Sequence, residues 1–360
     1  MAYIDRHRVM WVLAGSIVMS LLVSTASCGV KFNSTLIFYA DGSSVNAING
    51  STGKSCSGER HNSIANIANA PLRGGIPVIA ASLKKIELLS IHTGKMTSIF
   101  DEHSGTLISA ISVGGNSLNV LSHNLPGDQT HIQTWSLKSG KWAMTKDLTI
   151  IPSYQANYMT PYQFAVNARS NVALIPLTRT LGFDGSVDIV RGSHQEVVPG
   201  PPFASEAGIS KSGRYGVVIG LHQKSIEVVN LNDHDSIRVA NLPGYPTSMD
   251  VSGTSDQATV VLSENNGYRS SSSVVSVNLR DMAVSSIGNV SRPGDSIMPE
   301  PSAIGSEPGT AFIATLLAGS HEEIAAIVPN KRKVVGRFYV DVTDWVRTLV
   351  AVKAQQATAC

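Results

Sequence analysis

Three histidines stand at a constant interval in this chain: His123, His222 and His321 are each 99 residues from the next. Imidazoles that converge, with a carboxylate such as Glu264 beside them, make a site for a divalent metal or an acid–base pair. Each sits in a polar segment between two apolar runs, and the corresponding segments elsewhere carry Asp41, Lys84 and Arg179. Polar loops in a chain with ten histidines also align this way without a shared task, so the spacing leaves both readings open. Other chemistry lacks its motif. The chain has no Gly-x-Ser-x-Gly, His-Glu-x-x-His, Walker loop or Cys-x-x-Cys. Asn232–Asp235 lacks a calcium loop's glycine and terminal glutamate and reads as a polar turn. Lys331–Lys333 is a three-residue basic turn, too short for a nucleic-acid surface.

Whatever these residues do, short strands must hold them. Charged residues make up only 15% of the 360, against roughly 25% in an ordinary soluble domain. Gly (31), Pro (16), Ser and β-branched residues fill the difference. That mixture disfavours helical bundles and favours strands joined by turns. A hydrophobic content of 42% is too high for a disordered chain. The net charge of +2 is too balanced for a nucleic-acid binder.

The strands recur as a unit: an apolar strand, a polar loop, a second strand, then a tight turn. Leu36–Tyr39, Ser44–Ile48 and the turn Ser51–Lys54 form the first copy. Pro77–Ala81, Ile86–Ile91 and His92–Lys95 follow, then Leu118–Leu121, Ile132–Leu137 and Lys138–Lys141. More degenerate copies turn near Gly192, Asp233, Asp281 and Lys331, a mean period of about 46 residues. Ser/Gly-rich lead-ins (Ile111–Gly115, Ile209–Arg214, Val251–Gly253) precede several apolar strands, and a further strand follows each turn. Four strands in about 46 residues is the arithmetic of a propeller blade, and seven units fill the chain after its first 27 residues. The expected fold is therefore an all-β, seven-bladed propeller over residues 35–354. Its first apolar strand, Leu36–Tyr39, reads as the second strand of a blade. The missing innermost strand is expected from Trp345–Val352, because an open edge would otherwise remain. A short terminal helix over 344–354 is the alternative.

Here the residues carry a resemblance. Thr52-Gly53-Lys54, Thr93-Gly94-Lys95 and Ser139-Gly140-Lys141, with Ile209–Arg214 before Tyr215–Val218, resemble quinoprotein-like and YVTN-type β-propeller repeats over most of residues 34–340. The resemblance implies a fold and no particular reaction. The tryptophans are only Trp11, Trp135, Trp142 and Trp345, and no two cysteines are adjacent, which argues against a quinone cofactor; no cofactor is expected. In such a propeller the histidine segments ring the central channel, as the working residues of some bacterial propeller lyases do.

The N-terminus reads as an address. Arg6 and Arg8 precede a charge-free run from Val9 to Val23, the layout of a secretory signal over 1–27. Ser24–Cys28 resembles a bacterial lipobox, with Thr25 where leucine is usual; this implies lipid on Cys28 and an extracytoplasmic place on a membrane. Gly29 after the cysteine is compatible with the outer membrane. Ordinary signal cleavage and a retained anchor remain the alternatives. Residues 28–34 then form a tether and 355–360 a tail. The remaining Cys56 and Cys360 are either one disulfide or two unrelated thiols. Three function classes follow: a binding or scaffold module for a protein or glycan partner of the envelope, a channel-rim lyase or hydrolase, and a small-molecule or metal sensor.

Overall fold

The computed structural model describes residues 35–353 apart from 41–43, 50–54, 57–65, 69, 81–83, 102–105, 125–128, 151–157, 160–162, 168–170, 180–181, 233–235, 253–254, 266–269, 291–300, 308–309, 317–320, 329–330, 342–345 and 347. At a few strand positions it describes the backbone alone. Cys28 and Cys360 lie outside the described residues.

Seven antiparallel blades follow one another along the chain. Blade 5 shows the plan: an inner strand Ala204–Ile209, a second Tyr215–Gly220, a third Ser225–Asn230 and an outer Ser236–Asn241. Blade 4 departs from it, because two short pieces, Tyr158–Met159 and Ala165–Asn167, share its inner position. Burial explains why the second strands read as continuous apolar runs. Every residue of Tyr215–Gly220 is buried, since each face of a middle strand packs on a neighbouring blade. Val217 and Ile219 enter the cluster shared with blade 6, while Val218 enters the one shared with blade 4. Seven such clusters among the described residues fill the seven interfaces around the ring. Outer strands such as Lys141–Ile150 stay largely exposed and polar.

The ring closes by joining the chain ends. Thr348–Lys353 is the inner strand of blade 1 and pairs antiparallel with Thr35–Ala40, from Thr35 opposite Lys353 to Ala40 opposite Thr348. Leu349 and Ala351 pack with Phe312 and Ile324 of blade 7. A helix at these positions would leave the Thr35–Ala40 edge unpaired, and the strand wins for that reason. Ser55–Cys56 is the outer strand of this same blade, so Cys56 and the C-terminal strand share blade 1 as expected.

Four inner strands carry a β-bulge at the same place. The extra residues are Ser109, Ser205, Thr247 and Ser302 in blades 3, 5, 6 and 7. A bulge bends its strand and re-aims the side chains beyond it. The residue after each bulge is Ala110, Glu206, Ser248 or Ala303. Glu206 is the charged exception.

Two faces result. Turns from inner to second strands and from third to outer strands lie on one, the turn face. The loops between second and third strands, and the links from each blade to the next, lie on the other, the loop face.

Candidate functional site

On the turn face the inner strands end around a cavity of about 530 Å³. Its wall is made by Ala70 of blade 2, Ser112–Gly115 of blade 3, Gln163 and Ala165–Asn167 of blade 4, Ala207–Lys211 of blade 5 and Met249–Ser252 of blade 6. Three of these segments are the Ser/Gly-rich lead-ins of the sequence. The repeat pattern used them only to place strands, yet they wall the channel mouth. Small residues are needed here because the inner strands converge on the axis.

Local hydrogen bonds set the wall. The Ser210 N–H donates to the Tyr215 carbonyl (2.8 Å), and the Ser210 hydroxyl accepts from the Tyr215 N–H (3.2 Å). The Asn167 amide donates to the Ser210 carbonyl (3.4 Å), tying blade 4 to blade 5. Gln163 ties them again through its backbone, its N–H donating to Ser205 (3.3 Å) and its carbonyl accepting from Ala207 (3.0 Å). The lining therefore mixes apolar side chains (Val113, Val166, Ile209, Met249 and Val251) with hydroxyls, amides and main chain, and carries one ammonium (Lys211) and one carboxylate (Asp250). Such a surface recognises a polar group by hydrogen bonds.

Beside this wall lies Glu206. Its carboxylate accepts from the Met249 N–H (2.9 Å) and the Ser248 hydroxyl (3.3 Å) of blade 6. Burial pushes its carboxyl up to about 7, and the nearby Asp250 charge adds to this, while the two hydrogen bonds oppose it. A carboxyl poised near neutrality can hold or release a proton at working pH. Glu227 on the third strand of blade 5 is also raised to about 7 by desolvation.

The residues singled out in the sequence fall elsewhere. His123 is the penultimate residue of the second strand of blade 3, buried, with Nδ1 3.3 Å from the hydroxyl of its cross-strand partner Thr130. His222 is exposed on the loop face of blade 5 and lies against Phe203, ring centroids 4.0 Å apart. Glu264 accepts from the Ser271 (3.2 Å) and Ser273 (3.1 Å) hydroxyls across its own hairpin. His321 opens the third strand of blade 7, and its side chain is outside the described set. Lys84 and Arg179 are exposed, and Asp41 lies outside the described residues. Among the described residues no three His, Cys, Asp or Glu side chains gather as metal ligands. The described positions among them lie toward the loop face, so the cavity opens on the opposite side from them.

No family model matches the sequence, and no curated protein matches it. Solved structures match the fold over nearly their full length. The periplasmic gluconolactonase PpgL of Pseudomonas aeruginosa superposes with a TM-score of 0.60 at 14% identity, over 89% of this chain and 99% of that one. A putative 6-phosphogluconolactonase of Bacteroides fragilis gives 0.59 at 8% identity, over 90% and 99%. Apo AztD of Citrobacter koseri gives 0.56 at 13%, again over 90% and 99%. At such identities the likeness establishes the architecture alone: this chain is a seven-bladed β-propeller similar in fold to these three proteins.

Proposed function

We propose that this chain is an extracytoplasmic propeller lipoprotein, anchored through lipid on Cys28, that binds an envelope partner at the turn-face mouth of its channel. The observation that carries the binding role is the cavity of about 530 Å³, lined by five consecutive blades and offering hydrogen-bonding groups among apolar side chains. Its lining of small residues and main chain suits a small polar group, presented freely or as part of a larger partner. Ser252→Trp fills this mouth and Lys211→Glu reverses its one ammonium. Pull-down from detergent-solubilised membranes should recover the same partner with wild type and lose it with both variants. Recovery by both variants as by wild type overturns the channel mouth as the binding site.

The anchor has its own test. A fatty-acid analogue fed to expressing cells should label wild type and spare Cys28→Ser; equal labelling overturns the lipid. Residues 28–33 span at most ~20 Å, which holds the propeller close to the membrane. A Cys56–Cys360 bridge fits the same oxidising compartment, and free thiols on both in non-reducing peptide maps rule it out.

A hydrolase at the same mouth is the second reading. What favours it is the pair Glu206 and Asp250, one carboxyl raised to about 7 beside one that lines the cavity, the division of roles that acid–base catalysis uses. Two of the structural neighbours, a periplasmic gluconolactonase and a putative 6-phosphogluconolactonase, accord with it. Hydrolysis of δ-gluconolactone above the uncatalysed rate, lost in Asp250→Asn, would establish this reading.

A further inference from the structure

Two phenylalanines on the loop face hold a backbone conformation that bulky residues avoid. Phe183 has a φ of 59° and Phe203 a φ of 52°. An aromatic residue there is an outlier, kept only where its surroundings impose it, and such outliers gather at ligand sites.

The surroundings do impose it. Gly200–Phe203 links blade 4 to blade 5, and its two prolines restrict the path. This link presses on Gly185 and Gly220 so closely that a Cβ on either would overlap the Pro201 or Pro202 carbonyl oxygen. The Phe203 N–H donates to the Phe183 carbonyl (3.1 Å), and the Leu221 N–H donates to the Phe203 carbonyl (3.2 Å). Three loop-face segments are thereby fastened together, and the product is a stack of rings. Phe183 and Phe203 lie 4.3 Å apart at 14°, and His222 leans on Phe203 at 4.0 Å and 50°. The stack is not sunk in a blade interface. Phe183 remains 43% exposed, and His222 is exposed.

The chemistry around the rings narrows the ligand. Arg179 and Lys224 are offset by Asp184 and Glu264 on the same face, and Lys224 is held over the Tyr245 ring at 5.0 Å. No single sign of charge dominates, so the surface suits an uncharged ligand. An aromatic face carries negative charge density that attracts polarised C–H bonds, while Asp184, His222 and Gln223 offer hydrogen-bonding groups beside it. A β-linked pyranose of gluco configuration fits both demands: its hydroxyls and its linkage oxygen are all equatorial, so axial C–H bonds cover both ring faces, which an axial α linkage interrupts.

We propose that the Phe183–Phe203–His222 stack is a platform for a neutral, β-linked pyranose chain of gluco configuration. The site lies across the molecule from the channel mouth and stands or falls separately from it. Cellohexaose and chitohexaose titrated into the full-length protein by calorimetry test it, with maltohexaose as the α-linked comparison. At least one of the β-linked sugars should bind, and more tightly than maltohexaose. Phe183→Ala should weaken binding by roughly tenfold, with Phe183→Trp retaining it and the circular dichroism of both unchanged. Ser252→Trp at the channel mouth should leave sugar binding as in wild type. No binding of either β-linked sugar at millimolar concentration, or equal affinity of wild type and Phe183→Ala, overturns the proposal.

Discussion

The two faces of this propeller use left-handed backbone for different ends. On the turn face, Arg73, Ser139, Asn171, Met282 and Arg332 all have positive φ, and each sits in a tight turn between paired strands. Any short polar or flexible residue serves there, because the turn needs only the angle. On the loop face the two described non-glycine cases are Phe183 and Phe203, stacked on each other. The stabilising contacts divide as well. Toward the turn face, basic side chains latch one blade to the next. Lys146 donates to Asn171 Oδ1 (3.2 Å) and the Gly192 carbonyl (3.3 Å), Arg191 to the Leu231 carbonyl (3.2 Å) and Arg238 to the Leu279 and Arg280 carbonyls (both 2.8 Å). Burial works against the charge of Asp256. The Ser212 hydroxyl (2.8 Å) and the Arg280 guanidinium (3.1 Å) nonetheless hold its carboxyl below the usual range. The turn face is thus built to hold the ring together, and strain on the loop face serves display.

The largest expected effect lies between the faces, where Glu206 joins blade 5 to blade 6. Its carboxyl is raised from 4.5 to about 7 in the fold, so between these values the native state binds more protons than the unfolded chain. Its contribution is complete below pH 4.5 and is lost as pH rises through 7, a fall of about 3 kcal/mol. Glu206→Gln keeps an acceptor for the Met249 N–H and stays neutral. Urea unfolding should therefore show the variant close to wild type at pH 4.5 and about 3 kcal/mol more stable at pH 8. A wild-type stability that is flat or rising over this range would contradict the assignment. Glu227 should add a smaller fall of the same sign, because it is half-buried and solvent screens its charge.

Next comes a turn-face latch. Arg238→Ala removes two charge-assisted hydrogen bonds to carbonyls of blade 6 and should cost about 2 kcal/mol. Equal stability of variant and wild type would show that water replaces the latch fully. The smallest effect sharpens the contrast in strain. Phe183→Gly and Phe183→Ala lose the same ring, but only glycine is at ease at φ 59°. The glycine variant should be the more stable of the two by about 1 kcal/mol. At Ser139, also left-handed but in a hairpin turn, Ser139→Gly should stabilise outright because no stacked ring is lost.

The fold was legible to the extent that it depends on local pattern. Apolar runs such as Val172–Leu177 and Tyr215–Gly220 mark second strands because both of their faces are buried, and Thr93-Gly94-Lys95 marks a turn through its glycine at φ 68°. The closing strand was legible for a topological reason, as an unpaired edge demands a partner. The sites were less so. The 99-residue spacing drew attention to His123, His222 and His321, but His123 is taken up by its own hairpin and His222 by a phenylalanine 19 residues before it. The lead-ins that wall the cavity carried a signal, their run of small residues, which also describes any turn. Phe203 after Pro201-Pro202 carried none, because nothing in a proline pair announces a left-handed aromatic.

What the sequence by itself determined is the number of blades, the burial of their middle strands and the need to join the chain ends. Each follows from a local period or a local deficit of hydrogen bonds. What only the tertiary structure decided is which residues of different blades meet. Gln163 against Ser205, Glu206 against Met249 and Phe183 against Phe203 each depend on the angle at which one blade is set against the next. That angle is settled by the packing of whole interfaces, to which every blade contributes and which no single repeat encodes.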